Sequence, residues 1–242
     1  HAVAVVKAGV FTVVKVIVYV FGIDLLKDTG AGDWLIYAAG FTVIAASLVA
    51  LRQDNLKKRL AYSTVSQLSY VILAAAILTP LSIIGAALHI AAHAVSKITL
   101  FFAAGSVYTA AHVTEISRMN GIGRRMPWTM GAFAIGALSM IGVPPTVGFT
   151  SKWFMLSGAM SDSNWIALAV IFISTMLNAG YFLPIIYRAF FCDPEPADDD
   201  HPAHGEAPLP IVLALCATAA GTLILFVFPD LVLDLASAIA VR

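Results

Sequence analysis

The strongest constraint on the fold of this chain is a series of apolar runs, each close to membrane length, that recur from end to end. A helix needs about twenty predominantly apolar residues to cross the roughly 30 Å hydrocarbon core of a bilayer. The composition agrees, because the chain is 60% hydrophobic and 12% charged, with a mean hydropathy of +0.90. A soluble domain is nearer to one half apolar and one quarter charged. We therefore predict an integral membrane protein in contact with the lipid bilayer.

Breaks rich in proline, glycine and charge divide the chain into about seven candidate spans. The spans lie near residues 2–22, 34–51, 60–79, 81–111, 128–158, 164–190 and 209–228. We predict an all-α, polytopic membrane helix bundle that forms a single transmembrane domain over residues 1–242. The segment CDPEPADDDHPAHGEAP, residues 192–208, is predicted to be an acidic, proline-rich loop on the cytoplasmic side.

The positions of lysine and arginine predict the orientation of the bundle. Basic residues cluster in loops 52–59 and 112–126, which are two spans apart and therefore lie on the same side of the membrane. The positive-inside rule assigns that side to the cytoplasm. We expect the start of the chain on the same side, the C-terminus outside, and a bacterial cytoplasmic membrane as the location.

The fifth span is predicted to be discontinuous. A single helix over residues 128–158 would exceed the hydrocarbon thickness, and its middle reads GVPPTVG at residues 142–148. Two prolines between glycines interrupt an α-helix. We expect one half before Gly142 and a second half from near Thr150, capped by Thr150 or Ser151, so that Lys152 lies in its first turn. Irregular backbone at membrane depth lines buried or wet sites, as in transporters.

Basic side chains and histidines inside the spans are the candidate functional residues, because such groups are costly in a membrane and mark ion or proton pathways. They are Lys7 and Lys15 in the first span, His89, His93 and Lys97 in the fourth, and Lys152 after the break. Residues four apart share one helix face, so the fourth span carries a ladder roughly 12 Å long. Histidine exchanges protons near neutral pH. The spacing favours a proton relay.

Other interpretations of these residues remain open. Lys15 shares the face of Lys7 and has the alternative of snorkelling to an interface. The pair His89 and His93 has the spacing of a helical metal site, but no carboxylate or thiol accompanies it and Lys97 would repel a cation, so we predict no metal. A packing role for the histidines is the remaining alternative. We assign no disulfide to the two cysteines. The net charge of zero says nothing about nucleic acid, and we predict no nucleic-acid partner.

Four stretches resemble the antiporter-like subunits of respiratory complex I, Mrp-type sodium/proton antiporters and membrane-bound hydrogenases. The most specific are ALRQDNLKKRLAYSTVSQLSYV (50–71) and GVPPTVGFTSKW (142–153). The others are LHIAAHAVSKITLFFAAGSV (88–107) and HAVAVVKAGVF (1–11). They occur in the order found in the family and cover most of the chain.

The resemblance implies an inverted-repeat fold in which each repeat supplies a half-channel for protons. It implies that Lys7 bridges the half-channels, that His89, His93 and Lys97 form the linking ladder, and that Lys152 is the terminal titrating residue. His1 and Lys15 match positions with a possible relay or structural role. It implies no bound cofactor and no catalytic site of the chain's own, but a subunit of a translocase such as NADH:quinone oxidoreductase.

The chain resembles only the second half of such a subunit. We expect residues upstream of His1, and the missing half and other membrane subunits as partners, with protons and possibly sodium as the transported ions. The driving reaction is left open between complex I-like, Mrp-like and hydrogenase-like assemblies. A non-conducting structural subunit that scaffolds its partners is the alternative function. A quinone site or a membrane-embedded enzyme has no motif in its favour.

Overall fold

Helices form every regular element in the computed structural model, which describes residues 5–194 and 205–240. The elements are α1 (Val5–Lys15, continued by a π-helical stretch Val16–Phe21), α2 (Ile23–Thr29), α3 (Ala31–Arg52), α4 (Leu56–Ala76), α5 (Pro80–Ala111), a 3-10 turn (Ile116–Arg118), α6 (Ile122–Arg125), α7 (Pro127–Ile141), α8 (Val147–Ser161), α9 (Trp165–Phe191), α10 (Leu209–Val227) and α11 (Asp230–Ala240). His1 and most of the predicted loop 192–208 lie outside the described residues.

The predicted all-α membrane bundle is confirmed. Helices α3, α5, α9 and α10 are each long and apolar enough to cross a membrane. The first predicted span corresponds to α1 and its π-helical continuation, which are long and apolar enough only together with α2, and α2 meets them at an angle of 83°. Helix α7 is a shorter apolar helix.

Apart from the single turn α6, two helices lie where the sequence predicted none. Helix α2 occupies part of the predicted break after the first span, and it ends at Gly30, whose φ of 66° is left-handed. Helix α11 follows the last predicted span and packs beside α5. Both are shorter than a span, so a search for membrane-length runs passes over them.

Helix α5 is the central element of the bundle, since α4, α7, α8, α10 and α11 all pack against it. A capping box begins the helix: the side chain of Thr79 accepts from the backbone N–H of Ser82, and the side chain of Ser82 accepts from that of Thr79. Pro80 occupies the first turn, where its missing N–H costs nothing.

The break predicted at residues 142–148 is confirmed, but the second half begins earlier than expected. Helix α7 ends at Gly142, with a φ of 92°, and α8 begins at Val147 with Thr146 as its N-cap residue. Thr150 and Ser151 therefore lie inside α8 and do not cap it. Lys152 therefore lies in the second turn of α8 and not, as predicted, in its first.

The two loops predicted to share one side of the membrane contact each other. The backbone N–H of Ile116 donates to the carbonyl of Asp54 (2.8 Å), and that of Leu56 donates to the carbonyl of Thr114 (2.9 Å). An isolated bridge pairs Asn55 with Glu115 between them. These loops thus form one end of the bundle.

Two apolar clusters fill the bundle, and a layer of polar side chains separates them along the helices. In α5 the first cluster ends at Ala86 and the second begins at Leu100, and the buried residues from His89 to Lys97 lie between. The same interval in the other helices is also polar. We call the following buried residues the polar layer: Ser63, Ser66, Gln67, His89, His93, Ser96, Lys97, Ser139, Ser151, Lys152, Ser174 and Asn178.

Candidate functional site

His89 lies at the centre of the polar layer and joins three helices. Its ring is completely buried, with Nδ1 2.9 Å from the Oγ of Ser151 in α8 and Nε2 3.1 Å from the Oε1 of Gln67 in α4. The Nε2 of Gln67 in turn donates to the carbonyl oxygen of Met140 (3.3 Å), near the end of α7. His89 is thus bonded directly to α8 and, through Gln67, to the end of α7, so it is connected to both halves of the broken helix.

His93 lies one turn along α5, with its ring centroid 6.4 Å from that of His89. Its side chain is completely buried, and neither ring nitrogen has a hydrogen-bond partner among the described residues. It is within electrostatic range of Lys97, Lys7 and His89. A buried imidazole without partners is costly, so this position is not explained by packing alone.

Lys97 ends the ladder and points its ammonium group at α4. Its Nζ donates to the carbonyl oxygen of Leu60 (3.0 Å) and to the Oγ of Ser63, and it lies 5.7 Å from the ring centroid of Phe182. The side chain is completely buried. The ladder predicted from the spacing of four is therefore present as a buried row along α5.

Lys152 binds back across the break in the helix. Its Nζ donates to the carbonyl oxygens of Met140 (3.1 Å) and Ile141 (2.8 Å), which have no helical N–H partner because α7 ends there. The ring centroid of Tyr70 lies 5.1 Å from Nζ. The C-terminal carbonyls of α7 carry partial negative charge, so α7 rather than the start of α8 supplies the electrostatic environment of this ammonium group.

The two lysines of α1 have different surroundings. Lys7 is 8% exposed and interacts electrostatically with His93 and Lys97. Lys15 is exposed, with its Nζ 5.6 Å from the ring centroid of Phe11. The two lysines therefore do not share a face, and Lys15 lies outside the polar layer.

The ammonium groups of Lys97 and Lys152 have no carboxylate counter-ion within the described residues. Both side chains are buried, whereas the ion pairs Lys27–Asp162 and Arg124–Asp193 join exposed groups. Lys97 and Lys152 are held by carbonyl and hydroxyl oxygens instead. An ammonium group in a low-dielectric interior is costly without a paired charge. The absence of a paired charge beside Lys97 and Lys152 in the described part of the chain is therefore compatible with ammonium groups that lose and regain a proton.

Sequence reasoning missed the neutral partners of the ladder. Gln67 and Ser151 bond to His89, Ser63 bonds to Lys97, and each of the three is completely buried. One signal was available, because the stretch YSTVSQLSY in α4 is unusually polar for a membrane helix. The partner of each hydroxyl depends on how the helices pack, which no single segment specifies.

The geometry defines an integral membrane helix bundle with one broken helix and a buried layer of protonatable groups. A model of the transmembrane family "NADH:quinone oxidoreductase/Mrp antiporter" matches residues 2–178. The chain belongs to this family.

Sequence relatives come from more than one kind of assembly. NADH-quinone oxidoreductase subunit N of Desulforudis audaxviator is 41% identical over 174 residues, which are 72% of this chain and 33% of that protein. A Na(+)/H(+) antiporter subunit of Alkalihalophilus pseudofirmus is 30% identical over 214 residues, 88% of this chain and 43% of that protein. This chain thus spans between a third and a half of the length of these curated relatives.

Solved structures share the fold over nearly the whole chain. A chain of the membrane-bound sulfane sulfur reductase, an archaeal respiratory membrane complex, superposes with a TM-score of 0.85 at 26% identity, covering 98% of this chain and 47% of that one. A chain of respiratory complex I from Thermus thermophilus gives a TM-score of 0.79 at 26% identity, covering 97% and 49%.

Proposed function

We propose that this chain is a proton-conducting part of a subunit in an ion-pumping membrane complex. The observation that carries the proposal is the buried row of protonatable groups on α5, hydrogen-bonded through neutral residues toward the broken helix and without a carboxylate neighbour in the described residues. Its membership of the NADH:quinone oxidoreductase/Mrp antiporter family supports the same function.

The proposed path runs along the polar layer. Lys7 exchanges protons with the ladder at His93 and Lys97, and His93 passes them to His89, a step of 6.4 Å between ring centroids that needs intervening water. From His89 the proton reaches Lys152 across the break. Lys97 marks the opposite end of the row. Lys15 is outside this path because its side chain is exposed.

We propose further that the chain works with other membrane subunits and with the remaining part of its own subunit. The relatives are named as subunits of NADH-quinone oxidoreductase and of a Na(+)/H(+) antiporter, so redox chemistry elsewhere or sodium exchange are the two candidate driving processes. The end of the bundle with loops 52–59 and 112–126 is assigned to the cytoplasmic side of a bacterial membrane, since these loops carry the basic residues.

The decisive experiment measures proton flux into liposomes that contain the parent complex. Lys97→Ala and Lys152→Ala each remove one protonatable group from the path, so we expect flux to fall about tenfold or more, as for the loss of a proton-transfer group in an enzyme. Lys58→Ala is the matched control, because it removes the same charge from an exposed position. Assembly of each variant is checked first.

The alternative is a scaffold whose buried lysines only hold helices together. It draws support from the carbonyl oxygens that bind both ammonium groups. Lys152→Met separates the two functions, because methionine fills a similar volume without a titrating group. Normal assembly with unchanged flux in this variant would reject conduction and leave the scaffold.

A further inference from the structure

The amide of Gln67 can be oriented from its surroundings. One end of the amide lies 3.3 Å from the carbonyl oxygen of Met140, and the other lies 3.1 Å from Nε2 of His89. A carbonyl oxygen only accepts hydrogen bonds, so the NH₂ group must face Met140. The reverse orientation would set two oxygens against each other. The Oε1 of Gln67 therefore faces His89.

The orientation of Gln67 determines which nitrogen of His89 carries the proton. Oε1 has no hydrogen to donate, so the hydrogen in this contact belongs to Nε2 of His89. In a neutral imidazole the other nitrogen then has a free lone pair. That nitrogen is Nδ1, which lies 2.9 Å from the Oγ of Ser151.

Ser151 has one hydroxyl hydrogen and two acceptors for it. The carbonyl oxygen of Gly148 lies 3.0 Å from its Oγ, and Nδ1 of His89 lies 2.9 Å away. While His89 is neutral, the hydroxyl donates to Nδ1. When His89 gains a proton, the new Nδ1–H donates to Oγ, and the hydroxyl hydrogen turns to Gly148. The proton comes from the imidazolium of His93 through water, so one N–H bond forms at Nδ1 of His89 as one N–H bond of His93 breaks, and the positive charge moves from His93 to His89.

We propose that the broken helix sets the proton chemistry of His89, with Gln67 and Ser151 as positioning residues. Met140 near the end of α7 keeps the Nε2–H of His89 in place through Gln67, and Ser151 in α8 makes Nδ1 the atom that gains and loses the proton. The role in transport rests on the proposed function, because it needs a proton to visit His89. Lys152 binds the same carbonyl of Met140, so it shares an acceptor with Gln67.

Nitrogen NMR of the assembled complex, labelled with ¹⁵N-histidine, tests the assignment, with His89→Gln identifying the signals of His89. We expect a hydrogen on Nε2 and an acceptor-type Nδ1 in the wild type. Ser151→Ala should keep this tautomer and shift the Nδ1 signal, whereas Gln67→Leu should give a mixture of tautomers. A wild-type spectrum with the hydrogen on Nδ1 would overturn the inference.

Proton flux then tests the role of the hydroxyl. Ser151→Ala should lower flux severalfold, and Ser151→Thr, which keeps a hydroxyl, should restore it. If the added methyl group of threonine prevents assembly, Ser151→Cys takes its place, and its flux should lie between those of the wild type and Ser151→Ala.

Wild-type flux in Ser151→Ala, together with lost flux in Lys152→Ala, would overturn the role of Ser151 and leave the proposed function intact. Unchanged flux in Lys97→Ala and Lys152→Ala would instead reject the proposed function, and the tautomer would still be decided by NMR.

Discussion

At the scale of single residues, Gly148 shows how closely the two halves of the broken helix approach each other. A Cβ atom at this position would lie 1.8 Å from the carbonyl oxygen of Ser139 in α7. Its backbone N–H donates to the Oγ of Ser139 (3.2 Å), which also accepts from Ser96 of α5 (2.8 Å). The glycine thus allows α5, α7 and α8 to meet around the polar layer.

We expect Gly148→Ala to separate α8 from α7, because the added carbon overlaps a backbone atom that cannot rotate away. Overpacking of this kind costs about 1–3 kcal/mol or more of unfolding free energy. Thermal unfolding of the purified complex measures the loss. Gly131→Ala in α7 is the control, since a Cβ there has no neighbour within 4 Å. Equal unfolding temperatures for the two variants would contradict the close packing.

At the scale of elements, α5 depends on a defined start because it carries the ladder past five other helices. The register of His89, His93 and Lys97 follows from where the helix begins, and the capping box of Thr79 and Ser82 holds that first turn. The last turn of α8 packs on the same cap, since a Cβ at Gly158 would lie 2.5 Å from the nitrogen of Ser82. The cap therefore serves both the helix and its contact with α8.

Thr79→Ala should destabilise the start of α5 by about 1 kcal/mol, the usual cost of losing an N-cap side chain. Thr79→Ser keeps the accepting oxygen and should stay close to wild type. Hydrogen exchange at the backbone N–H of Ser82 reports the change directly, because this group donates to the Thr79 side chain. Unaltered exchange in the alanine variant would show that the cap is not needed.

At the scale of the whole molecule, one carboxylate ties the segment before α10 to the start of α7. The side chain of Glu206 accepts from the backbone N–H groups of Trp128 (2.7 Å) and Thr129 (3.3 Å) and from the hydroxyl of Thr129 (2.6 Å). A carboxylate at a helix N-terminus also benefits from the helix dipole. This contact links α10, the last long apolar helix described, to the broken helix.

Glu206→Ala should loosen that attachment and lower stability by about 1–2 kcal/mol, because two N–H groups of α7 lose their acceptor. Limited proteolysis in the loop 192–208 should become faster in detergent. Asp193→Asn is the control, since the ion pair of Asp193 with Arg124 is exposed to solvent, and such pairs contribute little. Similar cleavage rates in both variants would argue against the clamp.

The sequence by itself determined the features that depend on neighbouring residues. Hydrophobic run length specified the membrane bundle, the residues GVPPTVG specified the break, and the spacing of four put His89, His93 and Lys97 in one row. These follow from helix periodicity and from the backbone limits of proline, which act within a few residues. The membership of the family could likewise be recognised from short stretches.

Only the tertiary structure decided which groups meet across helices. It paired His89 with Gln67 and Ser151, turned Lys152 back onto the carbonyls of α7, and left Lys15 exposed outside the polar layer. It also added α11, which is too short to appear as a span. The physical reason is that a hydrogen bond between helices depends on their relative rotation and depth, and packing of the whole bundle sets both.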